Sequence, residues 1–341
     1  MNTFEQPSPL LSLLNAQQPE TQQDFTPTSF NDYIGQQALK SKLTVYTQAA
    51  MQRNEPLDHL LLFGPPGLGK TTLAHIMAQV LNVQIKIITG PMLERTGDLV
   101  AILSSLQPRD ILFIDEIHRL ATTVEEVLYS AMEQFRVDII IGQGAGAKTV
   151  ALPIAPFTLI GATTKSGLLS APLRSRFGIT ERLEYYALEE LQQIVQQNAS
   201  FLGMTLCDKG ALSIAKSARG TPRIAKKLLR RVRDFAQVHH NNSASADMVA
   251  ESLAFLGIDS EGLNSVDNLL LKTIVTTFNG GPVGLETLAA VVGEDAETLE
   301  TVYEPFLLRM GLLEKTARGR QIPYAVLPIL RQKYLGQQNL I

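Results

Sequence analysis

The sequence predicts an α/β fold, in which a parallel sheet covered by helices is followed by a small all-helical domain and a C-terminal winged helix. Three observations support this prediction. Short apolar runs alternate with amphipathic stretches up to about Tyr186, only helical patterns follow to about Leu256, and three short helical patterns then precede a basic hairpin. The length of 341 residues is enough for two or three domains of ordinary size.

The sheet is predicted from five short apolar runs, bounded by Gly, Pro or Asp. Because these runs are mostly apolar on both faces, they are typical of parallel strands that are covered by helices on both sides. The runs are Leu60–Phe63, Ile85–Ile88, Ile111–Ile114, Thr158–Ile160 and the weaker Ile179–Leu183. Apolar residues at helical spacing over Thr71–Leu81 and Val124–Gln134 predict helices between the strands.

A β-hairpin is predicted as an insertion at about 136–156. Val137–Ile141 and Thr149–Ile154 are β-prone runs, and the glycine-rich segment 142–147 between them is typical of a turn. The hairpin would expose Ile139, Ile140 and Ile141, which predicts a surface for a partner. The alternative is that it folds back on the core of its own domain.

Composition shifts divide the chain into four parts. Residues 1–24 are rich in Gln, Pro, Ser, Thr and Asn and are predicted to be a flexible tail. The large domain is predicted over 25–187, the helical domain over 188–258 and the winged helix over 259–341. In the last part, helical patterns and one strand-like run follow each other as Val266–Phe278, Leu285–Val292, Ala296–Leu308 and Ile322–Leu327.

Charge and cysteine content exclude several classes of protein. With 30 Lys and Arg against 33 Asp and Glu, the net charge is -3, which excludes a protein that coats nucleic acid by bulk positive charge but allows a local basic patch. The single cysteine, Cys207, excludes an intramolecular disulfide and a zinc site built from cysteines. No apolar run reaches the roughly 18 residues of a membrane span, and we expect a cytoplasmic protein without membrane contacts.

A phosphate-binding loop follows the first predicted strand. Gly64–Thr71 reads GPPGLGKT and matches the pattern G-x-x-x-x-G-K-[ST] between a buried strand and a helix. Its glycines let backbone N–H groups point at a phosphate, and the helix N-terminus adds partial positive charge. Lys70 is expected to reach the β- and γ-phosphates of ATP, and the Thr71 hydroxyl to bind Mg²⁺.

An acidic pair follows the third predicted strand. Asp115 would emerge at the carboxyl end of Ile111–Ile114, where it can hold the hydration shell of Mg²⁺. Glu116 comes next and is predicted to orient and polarise the attacking water. In isolation such a pair is ambiguous, but the loop 45 residues earlier favours the catalytic interpretation.

Four segments together resemble AAA+ ATPases and, more narrowly, the RuvB family of motors that drive branch migration of Holliday junctions. They are 64–72, 112–120 (LFIDEIHRL), 161–178 (GATTKSGLLSAPLRSRFG) and 219–233 (RGTPRIAKKLLRRVR), joined by GGPVGLETLA near the C-terminus. The resemblance extends from about Phe25 to Tyr334. It implies an AAA+ core with a P-loop, followed by a helical lid and a winged helix.

The resemblance also assigns roles to single residues. Thr164 matches a sensor of the γ-phosphate, Arg223 matches a second sensor, and Tyr186 matches an aromatic residue near the base. Arg176 matches the arginine finger that reaches the ATP site of the next subunit, although Arg174 remains an alternative. The implied nucleotide contacts are Gly67, Gly69, Lys70, Thr71, Thr72, Glu133, Gln134 and Phe135.

Further implications of the resemblance concern assembly and partners. The working form would be a ring, expected to be a hexamer, that acts on Holliday junction DNA in recombination and repair. The inserted hairpin would dock a RuvA-type junction-binding protein, and a RuvC-type resolvase is a further expected partner. One departure is that Phe25-Thr26-Pro27 stands where the family usually has Leu-Arg-Pro, so a basic contact near the base is lost.

The C-terminal hairpin is the predicted DNA contact. Lys315, Arg318 and Arg320 lie close together in sequence, opposed only by Glu314. A motor that moves DNA of any sequence should contact phosphates rather than base edges, and these cations suit that task. Lys315 and Arg320 are the first candidates and Arg318 the next. The alternative is a solvated hairpin without a ligand.

Two other functions fit parts of the pattern. A clamp-loader or initiator-like AAA+ switch would use ATP to assemble on DNA, but the single cysteine excludes the zinc module of many clamp loaders. A protein unfoldase would need an aromatic-glycine pore loop, and Thr89–Met92 lacks the aromatic residue.

Overall fold

Residues 24–141, 148–239 and 243–336 are described by a computed structural model of the chain. By their contacts these residues divide into two compact units. The first contains the described residues up to Met204 together with Gly220–Lys227, and the second contains Thr205–Arg219 and the residues from Leu228 onward. The predicted tail lies outside the described residues except for Asp24, and so does the predicted glycine turn at 142–147.

The first unit is built on a parallel sheet, which confirms the predicted α/β class. Its strands and those of the hairpin are β1 (Leu60–Phe63), β2 (Ile85–Thr89), β3 (Ile111–Asp115), β4 (Arg136–Ile141), β5 (Lys148–Pro153), β6 (Thr158–Thr163) and β7 (Ile179–Arg182). Five of them form one sheet in the order β2-β3-β6-β1-β7, with every neighbouring pair parallel. The carboxyl ends of all five strands therefore lie at one edge of the sheet.

The described residues up to Met204 form six α-helices of the first unit. They are α1 (Gln37–Arg53), α2 (Lys70–Leu81), α3 (Thr96–Ser104), α4 (Thr122–Gln134), α5 (Ala171–Ser175) and α6 (Leu188–Phe201). The predicted helices over Thr71–Leu81 and Val124–Gln134 correspond to α2 and α4 within two residues. In α4 the residues Val124, Leu128, Ala131 and Met132 are buried, and this helical spacing gives the helix one apolar face.

The core of the first unit lies on both faces of the sheet. All four residues Ile111–Ile114 of β3 are fully buried, as the unbroken apolar run predicts for a central parallel strand. Apolar side chains of α3 and α4 pack against the strands, with Leu99, Leu103 and Leu128 among them. Each such side chain contributes roughly 1.5–3 kcal/mol by burial, so the sheet edge that carries the site rests on a rigid support.

The inserted hairpin has the predicted form. β4 and β5 pair antiparallel with Arg136 opposite Pro153 and Ile141 opposite Lys148. At its base Val137 is buried in the core, whereas Val150 is largely exposed. The expected exposure of Ile139, Ile140 and Ile141 concerns side chains that lie outside the described part of the structure.

The second unit begins with helices that follow the first. Its elements before Leu256 are β8 (Thr205–Leu206), α7 (Asp208–Ser217), α8 (Pro222–His239), β9 (Ser243–Ala244) and α9 (Ala246–Phe255), of which α8 has its first residues in the first unit. The prediction of helices alone was incomplete here, because β8 and β9 form a two-residue parallel pair. Strands this short carry no alternating pattern that the sequence could reveal.

The C-terminal part of the second unit has the order of a winged helix. The elements are α10 (Ser265–Thr276), α11 (Leu285–Val292), α12 (Ala296–Thr298), a π-helical turn at Leu299–Tyr303, α13 (Glu304–Arg309), β10 (Glu314–Thr316), β11 (Gly319–Gln321) and α14 (Leu327–Leu335). The two strands pair antiparallel to form the wing. The strand expected over Ile322–Leu327 is wrong: Ile322 is buried in the core, and α14 begins at Leu327.

The division of the chain by residue contacts differs from the domain boundaries predicted from the sequence. The predicted boundary at 187/188 falls inside the first compact unit, because α6 and the start of α8 pack with the sheet domain. Within the described ranges, no helix combines the length and the apolar character needed to cross a membrane.

Candidate functional site

The loop between β1 and α2 has a backbone that only glycine can adopt comfortably. Gly64, Gly67 and Gly69 have positive φ angles of 139°, 78° and 98°. A Cβ atom at Gly69 would lie 2.8 Å from Oη of Tyr33, and one at Gly67 would lie 2.9 Å from Cβ of Arg223. The loop is therefore shaped both by its own dihedral angles and by the side chains packed against it.

Lys70 stands at the start of α2, and its side chain turns back into the loop. Its Nζ donates to the carbonyl oxygens of Gly64 (2.8 Å) and Pro65 (2.9 Å). Burial lowers the pKa of Lys70, and the nearby carboxylate of Asp115 opposes this effect. The contacts hold a buried ammonium group at the centre of the loop, where an anion gains most from it.

The sheet order brings the loop and the acidic pair to one edge. β3 and β1 both flank β6, so Asp115, Thr163 and Phe63 all end strands at the same side of the sheet. The N–H of Gly64 donates to the carbonyl of Thr163 (3.2 Å), which ties the loop to β6. Asp115 therefore ends its strand on the same side of the sheet as the loop that carries Lys70.

Glu116 has a strained backbone and a cationic partner. Its φ angle is 49°, in the left-handed region that a non-glycine residue rarely adopts. Its N–H donates to Oδ1 of Asp115 (2.9 Å), and its Oε2 pairs with Nη1 of Arg119 at 3.0 Å. Glu116 thus follows β3 in a left-handed conformation, and its carboxylate pairs with Arg119.

A histidine next to the acidic pair was not identified from the sequence. Nδ1 of His118 lies 2.9 Å from Oγ1 of Thr163, which is buried at the end of β6. Partial burial lowers the pKa of His118, with Glu116 acting in the opposite direction. Thr164, the predicted sensor, is exposed directly after β6. The His118–Thr163 contact therefore fixes the backbone from which Thr164 projects.

An open cavity adjoins the loop, and it is lined by Phe25, Tyr33, Gly69, Thr72, Tyr186 and Asn198 among others. Oη of Tyr33 accepts from Tyr186 (2.7 Å) and donates to the carbonyl of Leu68 (3.2 Å). Burial raises the pKa of Tyr186 to about 12 and that of Tyr33 well above its ordinary value, so both remain protonated donors. Tyr186 thus lies beside the loop, where the predicted base contact requires it.

Two side chains of the first unit bind the backbone of Phe25, where the sequence departs from the family. The N–H of Phe25 donates to Oδ1 of Asn198 (3.0 Å), and its carbonyl accepts from Nζ of Lys226 (2.7 Å). The arginine that the family usually carries here is absent, and Lys226 of α8 is among the residues that line the cavity. Neither Asn198 nor Lys226 was identified from sequence, because both are distant from the loop along the chain.

Arg223 lies against the loop. Its N–H donates to the carbonyl of Gly67 (3.3 Å), and its Cβ packs on the glycine itself. The second predicted sensor and the loop are thus in direct contact within the first unit.

The predicted finger and three predicted nucleotide contacts lie at the opposite edge of the sheet. Phe135 contacts His59 and Phe157, which precede β1 and β6, and Arg176 lies just before β7. The four residues of β1 alone separate this edge from the loop by about 13 Å. Arg176, Glu133, Gln134 and Phe135 cannot contact a nucleotide in the loop of their own chain, so any such contact must cross a subunit boundary.

Two predicted DNA contacts in the wing are engaged by carboxylates. Nε of Arg320 lies 2.7 Å from Glu304, which is 0% exposed, and Nζ of Lys315 lies 2.9 Å from the same carboxylate. Both cations also pair with Glu300. Arg318 is exposed at the turn and makes no ion pair within the described part of the chain. The wing thus presents Arg318 to solvent, while Arg320 mainly anchors β11.

The predicted metal ligands suit Mg²⁺. Thr71 and Asp115 offer a hydroxyl and a carboxylate, the hard oxygen donors that this ion prefers. Among the described residues no group of three or more His, Cys, Asp or Glu side chains gathers around one point. Two protein ligands fit an ion that takes its remaining ligands from phosphate and water.

Comparisons with known proteins agree along the chain. Three family models match consecutive parts: the Holliday junction DNA helicase RuvB P-loop domain over 25–183, the RuvB AAA lid domain over 186–259 and the RuvB C-terminal winged helix domain over 260–330. The solved structure of RuvB from Thermotoga maritima, described as a Holliday junction branch migration motor, is similar with a TM-score of 0.78 and 49% identity over 90% of this chain and 98% of that chain. A point mutant of the same protein gives a TM-score of 0.80 at 48% identity over 90% and 99%.

Proposed function

The chain belongs to the RuvB family of Holliday junction DNA helicases, and from this premise we propose that it hydrolyses ATP to drive branch migration. The observation that carries the proposal is the convergence of Lys70, Asp115 and Glu116 at one sheet edge, in a chain that also has a winged helix. A phosphate loop beside an acidic pair suits ATP hydrolysis, and a winged helix suits contact with DNA.

ATP would replace hydrogen bonds that the loop makes within itself. Lys70 would exchange the carbonyl oxygens of Gly64 and Pro65 for oxygens of the β- and γ-phosphates. This exchange is favourable because a buried ammonium gains more from a charged acceptor than from a neutral one. The base would occupy the cavity beside Tyr186, and Arg223 would sense the phosphates from its place on Gly67.

Thr71 and Asp115 would hold Mg²⁺ against the phosphates. When bound, the ion neutralises charge that develops on the phosphoryl oxygens during transfer. The chain's own contribution is to place one hydroxyl and one carboxylate at the same edge as Lys70.

Glu116 would orient and polarise the attacking water. In the structure its carboxylate pairs with Arg119 at 3.0 Å, an exposed contact of small net strength. Release of this pair would free the carboxylate to accept a hydrogen bond from water. Thr164 would contact the γ-phosphate or the water from the end of β6.

Arg176 would complete the site of the next subunit. Because it lies at the far edge of the sheet from Lys70, it can serve only a neighbour's nucleotide, together with Glu133, Gln134 and Phe135. An arginine supplied in this way can contribute about 10³–10⁵ in rate. The working form would therefore be a closed ring, for which we propose six subunits.

DNA would be held by phosphate contacts of the wing. The segment before the wing carries Glu297, Glu300 and Glu304, whose charge disfavours its insertion into a DNA groove. Arg318 is the exposed cation, and Lys315 and Arg320 would add contacts through N–H groups that Glu300 now shares. Contacts of this kind are independent of sequence, as a branch-migration motor requires.

The hairpin of β4 and β5 would dock a RuvA-type junction-binding protein. It extends from the core as a separate two-stranded ribbon, and Val150 is exposed on it. A RuvC-type resolvase, which would act on the same junction, stays a predicted partner. The DNA substrate would place the protein in the cytoplasm of a bacterium.

The test is an ATPase assay with Holliday junction DNA, with a RuvA-type protein, with both and with neither. We expect the largest stimulation with both, because the junction-binding protein would bring the ring, and with it the wing, into contact with the DNA. Linear duplex of the same length is the control for DNA alone. Absence of stimulation by both together would favour the clamp-loader or initiator-like AAA+ switch instead.

A second measurement separates ATP binding from hydrolysis. Glu116→Gln should keep nucleotide affinity, lose turnover by about 10²–10⁴-fold and stop junction dissociation. Branch migration that persists in this variant would show that Glu116 is not the base.

A further inference from the structure

One face of α4 holds the side chain of Arg176. The guanidinium carbon lies 4.3 Å from the centroid of the Tyr129 ring, in cation–π geometry. Nε lies 3.1 Å from Oε1 of Glu133, and Nη1 donates to the carbonyl of Pro172 (2.7 Å). Among the hydrogen bonds of the described residues none uses Nη2. The arginine is thus held on one side by α4 and keeps one terminal nitrogen for an acceptor outside the chain.

A third residue of the same face fixes the base of this arrangement. Glu125, Tyr129 and Glu133 are four residues apart in turn, so they share one face of α4. Glu125 is buried, and its Oε2 accepts from Oη of Tyr129 (3.0 Å) and Oγ of Ser170 (2.6 Å). The same Ser170 caps α5, through its contact with the N–H of Leu173.

These contacts form a connected network around Arg176. α5 begins after Ser170 and ends at Ser175, directly before Arg176. The backbone of the arginine is therefore held by α5, which Ser170 caps, and its side chain is held by Tyr129. Glu125 connects the two, because it accepts hydrogen bonds from both Ser170 and Tyr129. An ordered guanidinium loses less conformational entropy when it meets a phosphate than a freely rotating one does.

We propose that Tyr129 and Glu133 are positioning residues that hold Arg176 ready for the ATP site of the next subunit. The inference rests on the proposed function, in which Arg176 is the arginine finger. It adds a route between consecutive sites, because α4 begins at Thr122, six residues after Glu116. The helix that follows the hydrolytic residues of one subunit thus carries the contacts that orient the finger for its neighbour.

The test compares variants in assembled rings on junction DNA. Tyr129→Leu removes the aromatic face and should lower kcat for ATP by about 5- to 30-fold. Glu133→Gln removes the charge at an exposed position and should lower kcat by about two- to fivefold. Affinity for ATP should not change in Tyr129→Leu, since Tyr129 is not a nucleotide contact and the loop lies at the other edge of the sheet. Tyr129→Phe keeps the face and should lose less than Tyr129→Leu.

Two reference variants separate this inference from the proposed function. Arg176→Ala should lose more kcat than either positioning variant, and if it retains the parent's kcat the finger assignment itself fails. Glu126→Gln changes an exposed carboxylate of α4 outside the network around Arg176, and its kcat should match that of the parent. A large loss in Arg176→Ala with parental kcat in both Tyr129→Leu and Glu133→Gln would overturn the positioning role alone.

Mixed rings test whether Tyr129 acts across the boundary. Tyr129→Leu subunits are mixed with Lys70→Ala subunits, which cannot bind ATP but carry an intact Arg176 arrangement. In a random mixture about a quarter of the sites pair a working loop with a well-held finger, so turnover should exceed that of either variant alone. Turnover no higher than the average of the two separate rings would mean that Tyr129 supports only its own subunit, and would contradict the proposal. If Tyr129→Leu does not assemble, Glu133→Gln is mixed in the same way, and turnover above the average of the two separate rings is the expected result.

Discussion

At the scale of single residues, the basic side chains of the wing differ in their surroundings: Arg320 and Lys315 pair with a buried glutamate, whereas Arg318 is exposed. Arg320 is 14% exposed and reaches the buried Glu304 with Nε and Nη2, so removing it would leave a buried carboxylate with one cation fewer. Lys315 contacts the same carboxylate but is 40% exposed. Arg318 lies at the turn and is exposed. A basic residue in a wing is therefore not by itself a DNA contact.

Substitutions of Arg318 and Arg320 should separate DNA binding from stabilisation of the fold. Arg318→Ala should weaken DNA binding and reduce the slope of log affinity against log salt concentration by about one, with no change in the unfolding midpoint. Arg320→Ala should lower the free energy of unfolding by about 2 kcal/mol, less than the roughly 3–5 kcal/mol of an isolated buried pair because Lys315 remains. DNA titrations at several salt concentrations and denaturant unfolding measure the two effects.

The conservative variant Arg318→Lys is the control for charge. It should keep the salt slope, since a phosphate contact needs a cation rather than a planar group. Equal DNA affinity of Arg318→Ala and the parent at low salt would remove Arg318 from the interface.

At the scale of elements, the second unit is held together by a buried ion pair between two of its parts. Arg219, in the turn after α7, pairs with Asp267 in the first turn of α10, and its guanidinium lies 5.0 Å from the centroid of the Phe306 ring. Asp267 is 0% exposed and forms a capping box with Asn264. Arg219 has a positive φ of 54°, in the left-handed region that a non-glycine residue rarely adopts.

Arg219→Ala should destabilise the second unit strongly. Asp267 would remain buried without its cation, at a cost of about 3–5 kcal/mol in the free energy of unfolding. Denaturant unfolding of the full chain measures it. The matched control is Arg53→Ala, which breaks a surface pair with Glu55 and should cost less than about 0.5 kcal/mol. Equal effects of the two substitutions would mean that the buried pair contributes no more than a surface pair.

The defect of Arg219→Ala should also depend on pH. Burial raises the pKa of Asp267, and Arg219 opposes the rise, so the variant should have a pKa raised further. When the folded pKa of an acid is above the unfolded value, its ionised form disfavours folding, and stability falls as pH rises through the folded pKa. The difference between variant and parent should therefore shrink as pH falls through the range in which Asp267 of the folded variant becomes protonated. A difference that grows over this range would contradict the assigned role of Asp267.

At the scale of the whole molecule, the residues proposed for one ATP site are divided between two edges of the same sheet. Lys70, Asp115 and Glu116 follow strands, whereas Arg176 and Glu133 precede them. A single chain can bind a nucleotide with the first set but cannot bring the second set to it. Two neighbouring copies would be the smallest catalytic unit, and a ring would make every site equivalent.

Turnover per subunit should accordingly depend on protein concentration. ATPase activity per chain should fall on dilution as neighbours separate, while the residual activity of Arg176→Ala should stay constant because it already lacks the trans contact. Turnover measured beside light scattering over the same dilution series gives the comparison. Constant turnover per chain at concentrations where light scattering shows single chains would contradict a shared site.

Much of the site could be predicted from local sequence. Lys70, Thr71 and Asp115 belong to short patterns that fix both a strand end and the chemistry beyond it, and the structure places them at one edge. Tyr33, Asn198 and Lys226 could not be found in this way, because each reaches the cavity from a part of the chain remote from the loop. Their residue types are common on any surface, so only the folded contacts single them out.

The sequence by itself determined the parallel sheet, the loop, the acidic pair and the family, because each depends on a spacing of a few residues that local stereochemistry makes specific. The tertiary structure decided which charges are available. The net charge of -3 allowed a local DNA contact and three cations in a wing indicated one, yet the fold pairs Arg320 and Lys315 with a buried glutamate and leaves Arg318 exposed. It also decided that Arg176 faces away from its own loop and lies on Tyr129. The physical reason is that pairing and burial depend on contacts between residues remote in sequence, which no local pattern records.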